Sequence, residues 1–418
     1  MRITNGTVRA NGAAMRHTLR ILMVSNLFPP DVLGGYELLA ADVAKELRRR
    51  GHDVQILTSG AAPPDDPAWV HRRLALVRPF GEAPSLDRVR HLLAAREQRH
   101  ATERLLDGAA PFDVALIFSL RRLGLHVPRV LAERGLPMVY CFNDDWLLGH
   151  RPGEGATPLR RAIFGLIERG PLAARSWVGA PVRRAVYVST ATREALRAGG
   201  APVPEGVVRF QGVDRALFQA RAPRPIPERP RLLFVGRVHP TKGVDLAIDA
   251  VAALRAKGRE ATLAVAGTGD QAELDRLRAH AAAQGVTDAV RWLGFVARAE
   301  LPALYREHDV FCFPSRWDEP AGLTYLEAMS SGVPVVALAR GGARELLVNG
   351  ENSLLADDGP TMAAGIERLI TEPTLCPHLV EGGLETLRTR ASLGGYVDAI
   401  EGELGAASGE RRPMEVSA

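Results

Sequence analysis

Two glutamates stand eight residues apart in the segment WDEPAGLTYLEAM, which spans residues 317–329. Paired carboxylates can act as general acid and base, and glycosidases hold such pairs about 5–5.5 Å or 6.5–9.5 Å apart. If the segment were helical throughout, Glu319 and Glu327 would lie about 12 Å apart along the helix axis. The spacing disfavours an acid/base pair, although a bent loop could shorten it, and favours two separate tasks on one ligand.

The residues between these glutamates are predicted to begin a helix after the strand DVFCFP. The first amides of a helix have no acceptor within the helix, and the helix dipole attracts negative charge to the same end. We therefore expect a phosphate site formed by four backbone amides, those of Ala321, Gly322, Leu323 and Thr324.

Two cations follow another predicted strand, in the segment FVGRVHPTKGVD that spans residues 234–245. Arg237 can donate two parallel hydrogen bonds and Lys242 supplies a point charge, so together they could hold a diphosphate from two sides. Ligands of parallel sheets bind at the carboxyl ends of the strands, where this pair lies. Two solvated cations of a surface loop are the alternative.

A glycine pair, Gly34 and Gly35, opens a predicted helix after the first strand of the chain. Without side chains, its backbone amides can approach a ligand closely at a helix start that favours anions. A flexible turn is the alternative. The segment is not GxGxxG and no acidic residue ends the second strand, so a nicotinamide cofactor is not expected.

Short β-branched runs alternate with helical patterns, which predicts an α/β protein with parallel sheets. The two series of predicted strands cover residues 19–26, 53–58, 113–118, 137–142 and 185–189, and then 231–236, 261–267, 289–295, 309–314 and 333–338. We predict two Rossmann-like, doubly wound domains that face a cleft, with ligands at the carboxyl ends of their strands.

The domain boundaries follow from these two series and from the Pro- and Arg-rich segment between them. We predict an N-terminal extension, an N-terminal domain, a linker, a C-terminal domain, a C-terminal helix that could pack back on the first domain, and a disordered tail. Their ranges are 1–18, 19–218, 219–231, 232–385, 386–405 and 406–418.

Composition argues against several other classes of protein. Three scattered cysteines predict neither a disulfide framework nor a structural zinc site, and no metal-ligand cluster is visible. The chain lacks an apolar run of membrane-spanning length, and its first residues lack a signal peptide, so we expect a cytoplasmic location. The net charge of +5 suits an anionic ligand but decides nothing alone.

A basic segment over residues 157–184 carries six arginines and one glutamate. Its apolar residues fall at helical spacing: Leu159, Ala162, Ile163, Leu166 and Ile167. Such a helix could contact the inner face of an anionic membrane, which would suit a lipid-linked acceptor. The alternative is a helix that packs its apolar stripe on the sheet of the N-terminal domain.

The motifs GGYE, QGVDRALF, GRVHPTKG, GTGD, LGFV and Glu-x7-Glu, followed by EAMSSGVPVVA, occur in this order. Together they resemble the retaining glycosyltransferases of family four, which have the two-domain GT-B fold. The resemblance covers residues 19 to 405.

The resemblance implies a role for each matching residue. Arg237 and Lys242 would neutralise the diphosphate of a nucleotide-sugar donor, and Glu327 would hold its ribose. Glu319 and the four amides would contact the transferred sugar and the phosphates.

It also implies that the backbone of Phe295 and Val296 meets the base and that Gly34–Gly35 approaches the donor from the other domain. The implied donor is a UDP-sugar first and GDP-mannose next. No metal and no cofactor are expected, because the protein's cations stabilise the leaving diphosphate.

One departure concerns Asn143, Asp144 and Asp145, which stand where the family often has His-Asp. Asparagine can hydrogen-bond a sugar hydroxyl but cannot take a proton, so position 143 is not a general base. Retaining GT-B enzymes are thought to use the departing phosphate oxygen instead. The two aspartates could orient the acceptor, or could only cap a backbone turn.

The function implied is transfer of a hexose-type sugar to a hydroxyl of a small-molecule, glycan or lipid-linked acceptor, with no nucleic acid involved. Two alternatives stay open. One is a GT-B nucleotide-sugar epimerase, which would need no acceptor, and the other is a non-catalytic nucleotide-sugar-binding subunit.

Overall fold

The structure is a computed structural model that describes residues 18–77, 87–150 and 181–410 of the 418-residue chain. These residues form two α/β units, each built around one parallel sheet. We call them the N-terminal unit and the C-terminal unit, after the order of their strands in the chain. The predicted α/β class with two doubly wound sheets is confirmed.

The sheet of the N-terminal unit has seven parallel strands in the order β3-β2-β1-β4-β5-β6-β7. The strands are β1 Arg20–Val24, β2 Asp53–Ser59, β3 Val70–Leu74, β4 Val114–Ile117, β5 Met138–Phe142, β6 Arg184–Tyr187 and β7 Val207–Val208. The central strands are apolar and buried on both faces, as parallel strands covered by helices must be. The helices are α1 Gly35–Arg49, α2 Asp87–Gly108, α3 His126–Glu133 and α4 Thr190–Ala198.

The sheet of the C-terminal unit has six parallel strands in the order β10-β9-β8-β11-β12-β13. They are β8 Arg231–Val235, β9 Thr262–Ala266, β10 Val290–Gly294, β11 Val310–Phe313, β12 Val335–Ala337 and β13 Leu354–Leu355. Its helices are α5 Val244–Ala256, α6 Gln271–Ala283, α7 Leu301–Glu307, α8 Thr324–Ser330, α9 Ala343–Leu346, α10 Gly359–Thr371 and α11 Leu375–Thr389.

All ten predicted strands are present, and three further strands were not predicted. β3 reads VHRRL and is largely polar, so its sequence lacks the apolar run of a central strand. β7 and β13 have two residues each, too few for any periodicity to show. All three lie at sheet edges.

The last helix, α12 Leu393–Gly409, crosses from the C-terminal unit and packs on the sheet of the N-terminal unit. Tyr396, Ile400 and Leu404 are buried in the same core as β1, β4 and β5. The guanidinium of Arg50, the C-cap residue of α1, donates to Glu401 at 2.6 Å. This helix therefore completes the core of the N-terminal unit.

The predicted disordered tail is wrong for residues 406–409, which continue α12 because Ala407 is buried in that core. Residues 411–418 lie outside the described part of the chain. Residues 219–230, within the predicted linker, contain neither helix nor strand.

Apart from residues 181–184, the basic segment lies outside the described residues, so its two interpretations stay open. No helix in the described part of the chain combines the length and the apolar character that crossing a membrane requires. The cytoplasmic location and the membrane contact remain predictions.

Candidate active site

A cleft of about 1110 Å³ lies between the two units. On one side it is lined by loops that follow β1, β4 and β5, and on the other by loops that follow β8 and β11. Both sheets therefore present the carboxyl ends of their strands to one space, which is the position expected for a ligand.

An ion pair between Lys242 and Glu319 lies on the C-terminal side of this cleft. Lys242 Nζ is 2.5 Å from Glu319 Oε1, and both side chains line the cleft. Ser315 Oγ donates to the same carboxylate oxygen at 2.7 Å. Glu319 is therefore bonded to a cation and a hydroxyl, which is not the state of a free base.

Backbone contacts hold the two loops that carry this pair. The carbonyl oxygen of Thr241 accepts from the amides of Arg316 at 2.8 Å and Trp317 at 3.2 Å. Gly243 has a φ of 67°, and a Cβ there would lie 2.0 Å from the carbonyl oxygen of Pro314. Only glycine permits this close approach, so the Lys-Gly sequence fixes the lysine beside the second loop.

Burial lowers the pKa of Lys242, because the ammonium loses water, and the charge of Arg237 acts in the same direction. The Glu319 carboxylate opposes this effect. The ammonium also lies 4.5 Å from the centre of the Trp317 ring. Arg237 lines the cleft, is exposed and has no carboxylate partner among the described residues. An anion in the cleft would find both cations on one side.

The start of α1 forms part of the opposite side. Gly34 and Gly35 line the cleft, and Gly34 is the N-cap residue of α1. The buried Glu37 carboxylate accepts from the amides of Gly34 at 3.0 Å and Leu33 at 3.4 Å. Burial raises the pKa of Glu37 despite these bonds. The glutamate of the GGYE motif thus holds the loop that carries the two glycines of the same motif.

The two units approach each other closely where α1 and α8 begin. A Cβ at Gly35 would lie 2.4 Å from the Leu323 side chain, so a larger residue there would collide with the other unit. The amides of the four residues predicted to bind phosphate have no acceptor among the described residues. These residues are Ala321, Gly322, Leu323 and Thr324, and all four line the cleft.

Two further contacts join the units. Arg298, in the loop after β10, forms a two-bond ion pair with Asp42 on α1, with Nη1 2.9 Å from Oδ1. The Glu345 carboxylate on α9 accepts from the amides of Thr190 and Ala191 at the start of α4, at 3.1 and 2.8 Å.

Glu327 is buried on α8 and is not among the residues that line the cleft. Its Oε2 accepts from the Tyr305 hydroxyl at 2.9 Å. Burial raises its pKa to about 7, although Tyr305 and the charge of Arg298 favour the ionised form. Glu319 and Glu327 thus have separate partners and do not share a proton site.

The three acceptor-side residues all line the cleft. Asn143 is buried, and its Oδ1 accepts from the Tyr396 hydroxyl at 2.8 Å. Asp144 accepts from the Trp146 amide at 2.8 Å, so it caps the turn after β5. Arg121 pairs with Asp144 at 3.1 Å and Asp145 at 3.0 Å. Burial raises the pKa of Asp144.

The residues predicted to meet a base lie at the end of β10. Phe295 is 76% exposed, which is unusual for an aromatic side chain, and Val296 packs on the core of the C-terminal unit. Neither lines the cleft.

Two family models match this chain. The model described as "Glycosyltransferase Family 4" matches residues 33–216, and the model described as "Glycosyl transferases group 1" matches residues 218–386. A GDP-mannose-dependent alpha-(1-6)-phosphatidylinositol monomannoside mannosyltransferase of Mycobacterium tuberculosis is 30% identical, over 81% of this chain and 85% of its own. A D-inositol 3-phosphate glycosyltransferase of Salinispora tropica is 39% identical, over 81% of this chain and 74% of its own. The chain belongs to glycosyltransferase family 4.

The fold of this glycosyltransferase is also that of solved structures. The Anabaena protein Alr3699/HepE, solved in complex with UDP and glucose, is 21% identical with a TM-score of 0.66, over 93% of this chain and 100% of that chain. The predicted GT-B fold and the enzyme class are confirmed.

Sequence reasoning missed several polar residues of the glycosyltransferase cleft and its support: Asn26, Glu37, Arg121, Arg122, Ser315, Tyr305, Arg298 and Tyr396. Ser315 and Asn26 could have been found, since each lies within two residues of a strand's carboxyl end. Tyr396 gives no local signal, because it stands 253 positions from Asn143.

The structure describes no group of three or more His, Cys, Asp or Glu side chains that could hold a metal ion in residues 18–77, 87–150 and 181–410. That this glycosyltransferase needs no metal stays a prediction, as do the roles of the individual site residues.

Proposed function

We propose that this enzyme transfers a hexose-type sugar, with retention of configuration, from a nucleotide-diphosphate sugar to a hydroxyl group of an acceptor held by the N-terminal unit. The observation that carries the proposal is the set of cations on the C-terminal side of the cleft. Arg237 and Lys242 line it together, and Glu319 holds Lys242 at 2.5 Å. A diphosphate is the ligand whose charge and geometry suit this arrangement.

In the proposed reaction, the bond between the sugar's anomeric carbon and the diphosphate oxygen breaks, and the acceptor oxygen bonds to that carbon on the same face. The acceptor's proton passes to the departing phosphate oxygen. Arg237 and Lys242 stabilise the negative charge that develops on the diphosphate. Asn143 takes no proton in this scheme.

Lys242 is suited to this task because burial makes its ammonium sensitive to nearby charge. Its lowered pKa means that the protein alone holds the charged form at some cost. The leaving diphosphate would relieve that cost as its charge grows, so the attraction is strongest when the bond breaks.

Relatives differ in their donors. The Mycobacterium tuberculosis relative is named for GDP-mannose, and the Anabaena neighbour was solved with UDP. We place UDP-sugars first and GDP-mannose next. The base would lie at the end of β10, where the Phe295 ring is exposed and able to contact it.

The test is a thermal-unfolding screen with UDP, UDP-glucose, GDP and GDP-mannose, followed by product analysis with and without added acceptors. A ligand at 100 times its Kd stabilises the folded state by about 2.7 kcal/mol, so the true donor raises the melting temperature by several degrees. Arg237→Ala should lose most of the rise, whereas Lys257→Ala, a change of an exposed lysine outside the cleft, should keep it.

Absence of stabilisation by every nucleotide would contradict the proposal. Conversion of the donor sugar into its epimer without any acceptor would instead identify an epimerase. Binding without turnover against any acceptor would identify a non-catalytic subunit.

A further inference from the structure

The Glu345 carboxylate caps a helix of the opposite unit. It lies on α9 of the C-terminal unit and accepts from the amides of Thr190 at 3.1 Å and Ala191 at 2.8 Å, the first two residues of α4 in the N-terminal unit. The third amide of α4, that of Thr192, donates to Ser189 Oγ at 3.1 Å. The first amides of a helix have no acceptor within the helix and attract negative charge, so α4 receives part of its cap from the other unit.

The turn before α9 packs on the loop that carries Glu319. The Gly342 amide donates to the carbonyl oxygen of Glu319 at 2.6 Å. Gly341 has a φ of 56°, and a Cβ there would lie 2.6 Å from the same oxygen. Only glycine combines this backbone conformation with so close an approach, so the two glycines fix the turn against the loop.

The same turn also touches the N-terminal unit. A Cβ at Gly342 would lie 2.6 Å from Ser189 Oγ and would overlap the carbonyl oxygen of Pro320. Gly342 is therefore packed between the N-cap residue of α4 and the Glu319 loop. Because Glu345 follows this turn directly, its bonds to α4 hold the turn at the junction of the two units.

The supported loop carries side chains of the C-terminal side of the cleft. Glu319 Oε1 lies 2.5 Å from Lys242 Nζ, and the centre of the Trp317 ring lies 4.5 Å from the same ammonium. The position of the loop therefore sets where the ammonium lies. A shift of about 1 Å in a reacting or stabilising group can lower a rate about 100-fold.

We propose that Glu345 is a positioning residue, whose bonds to α4 hold the Gly341–Gly342 turn and, through it, the loop that carries Glu319. Glu345, Thr190 and Ala191 are not among the residues that line the cleft. The place of Lys242 and Glu319 thus depends on a contact between the units outside the cleft. The effect on turnover rests on the proposed function, whereas the effect on the loop does not.

The test is fluorine NMR on the full chain labelled with 5-fluorotryptophan, without any ligand. Trp317 precedes Glu319 in the loop, and its resonance is identified by its absence in Trp317→Phe. In Glu345→Ala we expect this resonance to shift or broaden. The resonance of Trp69, which packs on Arg48 in the N-terminal unit, should keep its position.

Glu345→Gln tests the same contact with a side chain of the same size. It keeps one acceptor oxygen and loses the negative charge at the helix start, so the Trp317 resonance should change in the same direction but less. This variant also carries the test if Glu345→Ala does not fold.

Asp358→Ala is the matched control. Asp358 is also a carboxylate of the C-terminal unit that caps a helix, because it accepts from the Thr361 amide of α10 at 2.8 Å. It is exposed and does not line the cleft, and the helix it caps belongs to its own unit. Both alanine substitutions remove a cap and should lower the melting temperature by about 2–4 °C. Only Glu345→Ala should move the Trp317 resonance.

Affinity and turnover separate positioning from binding. Calorimetry with UDP should give a Kd in Glu345→Ala within about threefold of the wild-type value, because Arg237 and Lys242 are both retained. The rate of UDP release from saturating UDP-glucose, with water, glucose or myo-inositol as the acceptor, should fall about tenfold. Asp358→Ala should change neither quantity.

Two results overturn the proposal. One is a Trp317 resonance that keeps its position in Glu345→Ala although the melting temperature falls, which would show that Glu345 only stabilises α4. The other is an equal change of that resonance in Asp358→Ala, which would show a general response to lower stability. A wild-type protein that releases no UDP, but whose Trp317 resonance still depends on Glu345, would contradict the proposed function and leave the positioning role intact.

Discussion

On the C-terminal side of the cleft, a lysine and a glutamate form an ion pair, and a second cation beside them has no carboxylate partner among the described residues. On the N-terminal side, the cation Arg121 is matched by two aspartates, and Asn26 Oδ1, Asn143 Nδ2 and the Tyr36 hydroxyl are buried atoms of neutral groups without a partner among the described residues. Under the proposed function, the first side would bind the charged diphosphate and the second would bind hydroxyl groups of the acceptor.

The largest effect should come from removing a cation on the C-terminal side of the cleft. Lys242→Ala removes the cation that holds Glu319 and that would stabilise the leaving diphosphate. We expect turnover with saturating donor to fall about 10²- to 10³-fold, as for other groups that stabilise developing charge. Near-normal turnover in a folded Lys242→Ala protein would refute the assigned role. Lys257→Ala, in the same unit, serves as the control.

The raised pKa of Glu327 predicts how stability depends on pH. Folding holds this carboxyl neutral up to pH about 7, whereas 4.5 is its ordinary value. Between these values the folded state binds the extra proton, so its contribution to the free energy of unfolding is lost as pH rises from about 4.5 through 7. The loss, relative to Glu327→Gln, should reach roughly 3 kcal/mol. Chemical denaturation of both proteins across this pH range measures the free energy of unfolding. The same pH dependence in both proteins would contradict the raised pKa of Glu327.

The same group predicts how donor affinity depends on pH. Glu327 does not line the cleft, so this prediction depends on the donor ribose reaching it, as the family resemblance implies. The ribose hydroxyls would then donate to the ionised carboxylate, and the donor should bind more tightly as pH rises through about 7 and level off above it. Below pH 7 the affinity for the donor should fall by up to about tenfold for each pH unit. Calorimetry at pH 6, 7 and 8 tests this, and Glu327→Gln should show weak binding with no such slope. An equal slope in both proteins would assign the titration to another group.

A smaller effect is expected where the two sides meet. Asp42→Asn removes the charge that pairs with Arg298 across the units and leaves the carboxylates of Glu327 and Asp214 to act on that cation. The pair is partly buried, and we expect a loss of about 1–2 kcal/mol in stability and a change of only a few-fold in donor affinity. The exposed Arg388–Glu385 pair is the control, and Arg388→Ala should change stability by less than about 0.5 kcal/mol. Equal effects of the two substitutions would mean that Asp42–Arg298 behaves as an ordinary surface pair.

The sequence predicted the charged side of the cleft better than the neutral side, for a physical reason. Lys242 and Glu319 each lie in a single loop after a strand, and β-branched runs locate those strands. Asn143 is hydrogen-bonded to Tyr396, which lies 253 positions away, and Arg298 is paired with Asp42, which lies 256 positions away. No local sequence pattern encodes such pairings. The same limit explains the edge strands β3, β7 and β13, whose pairing depends on neighbours more than on their own residues.

The crossing of α12 onto the N-terminal unit bears on how the chain is made. Ribosomal synthesis delivers the N-terminal strands first, yet their core lacks Tyr396, Ile400 and Leu404 until α12 has emerged. A nascent chain ending near residue 218 therefore exposes an apolar groove that a chaperone could cover. Folding of the N-terminal unit, which would receive the acceptor, therefore depends on the synthesis of α12, so a product truncated before α12 should be recognised as unfinished and degraded.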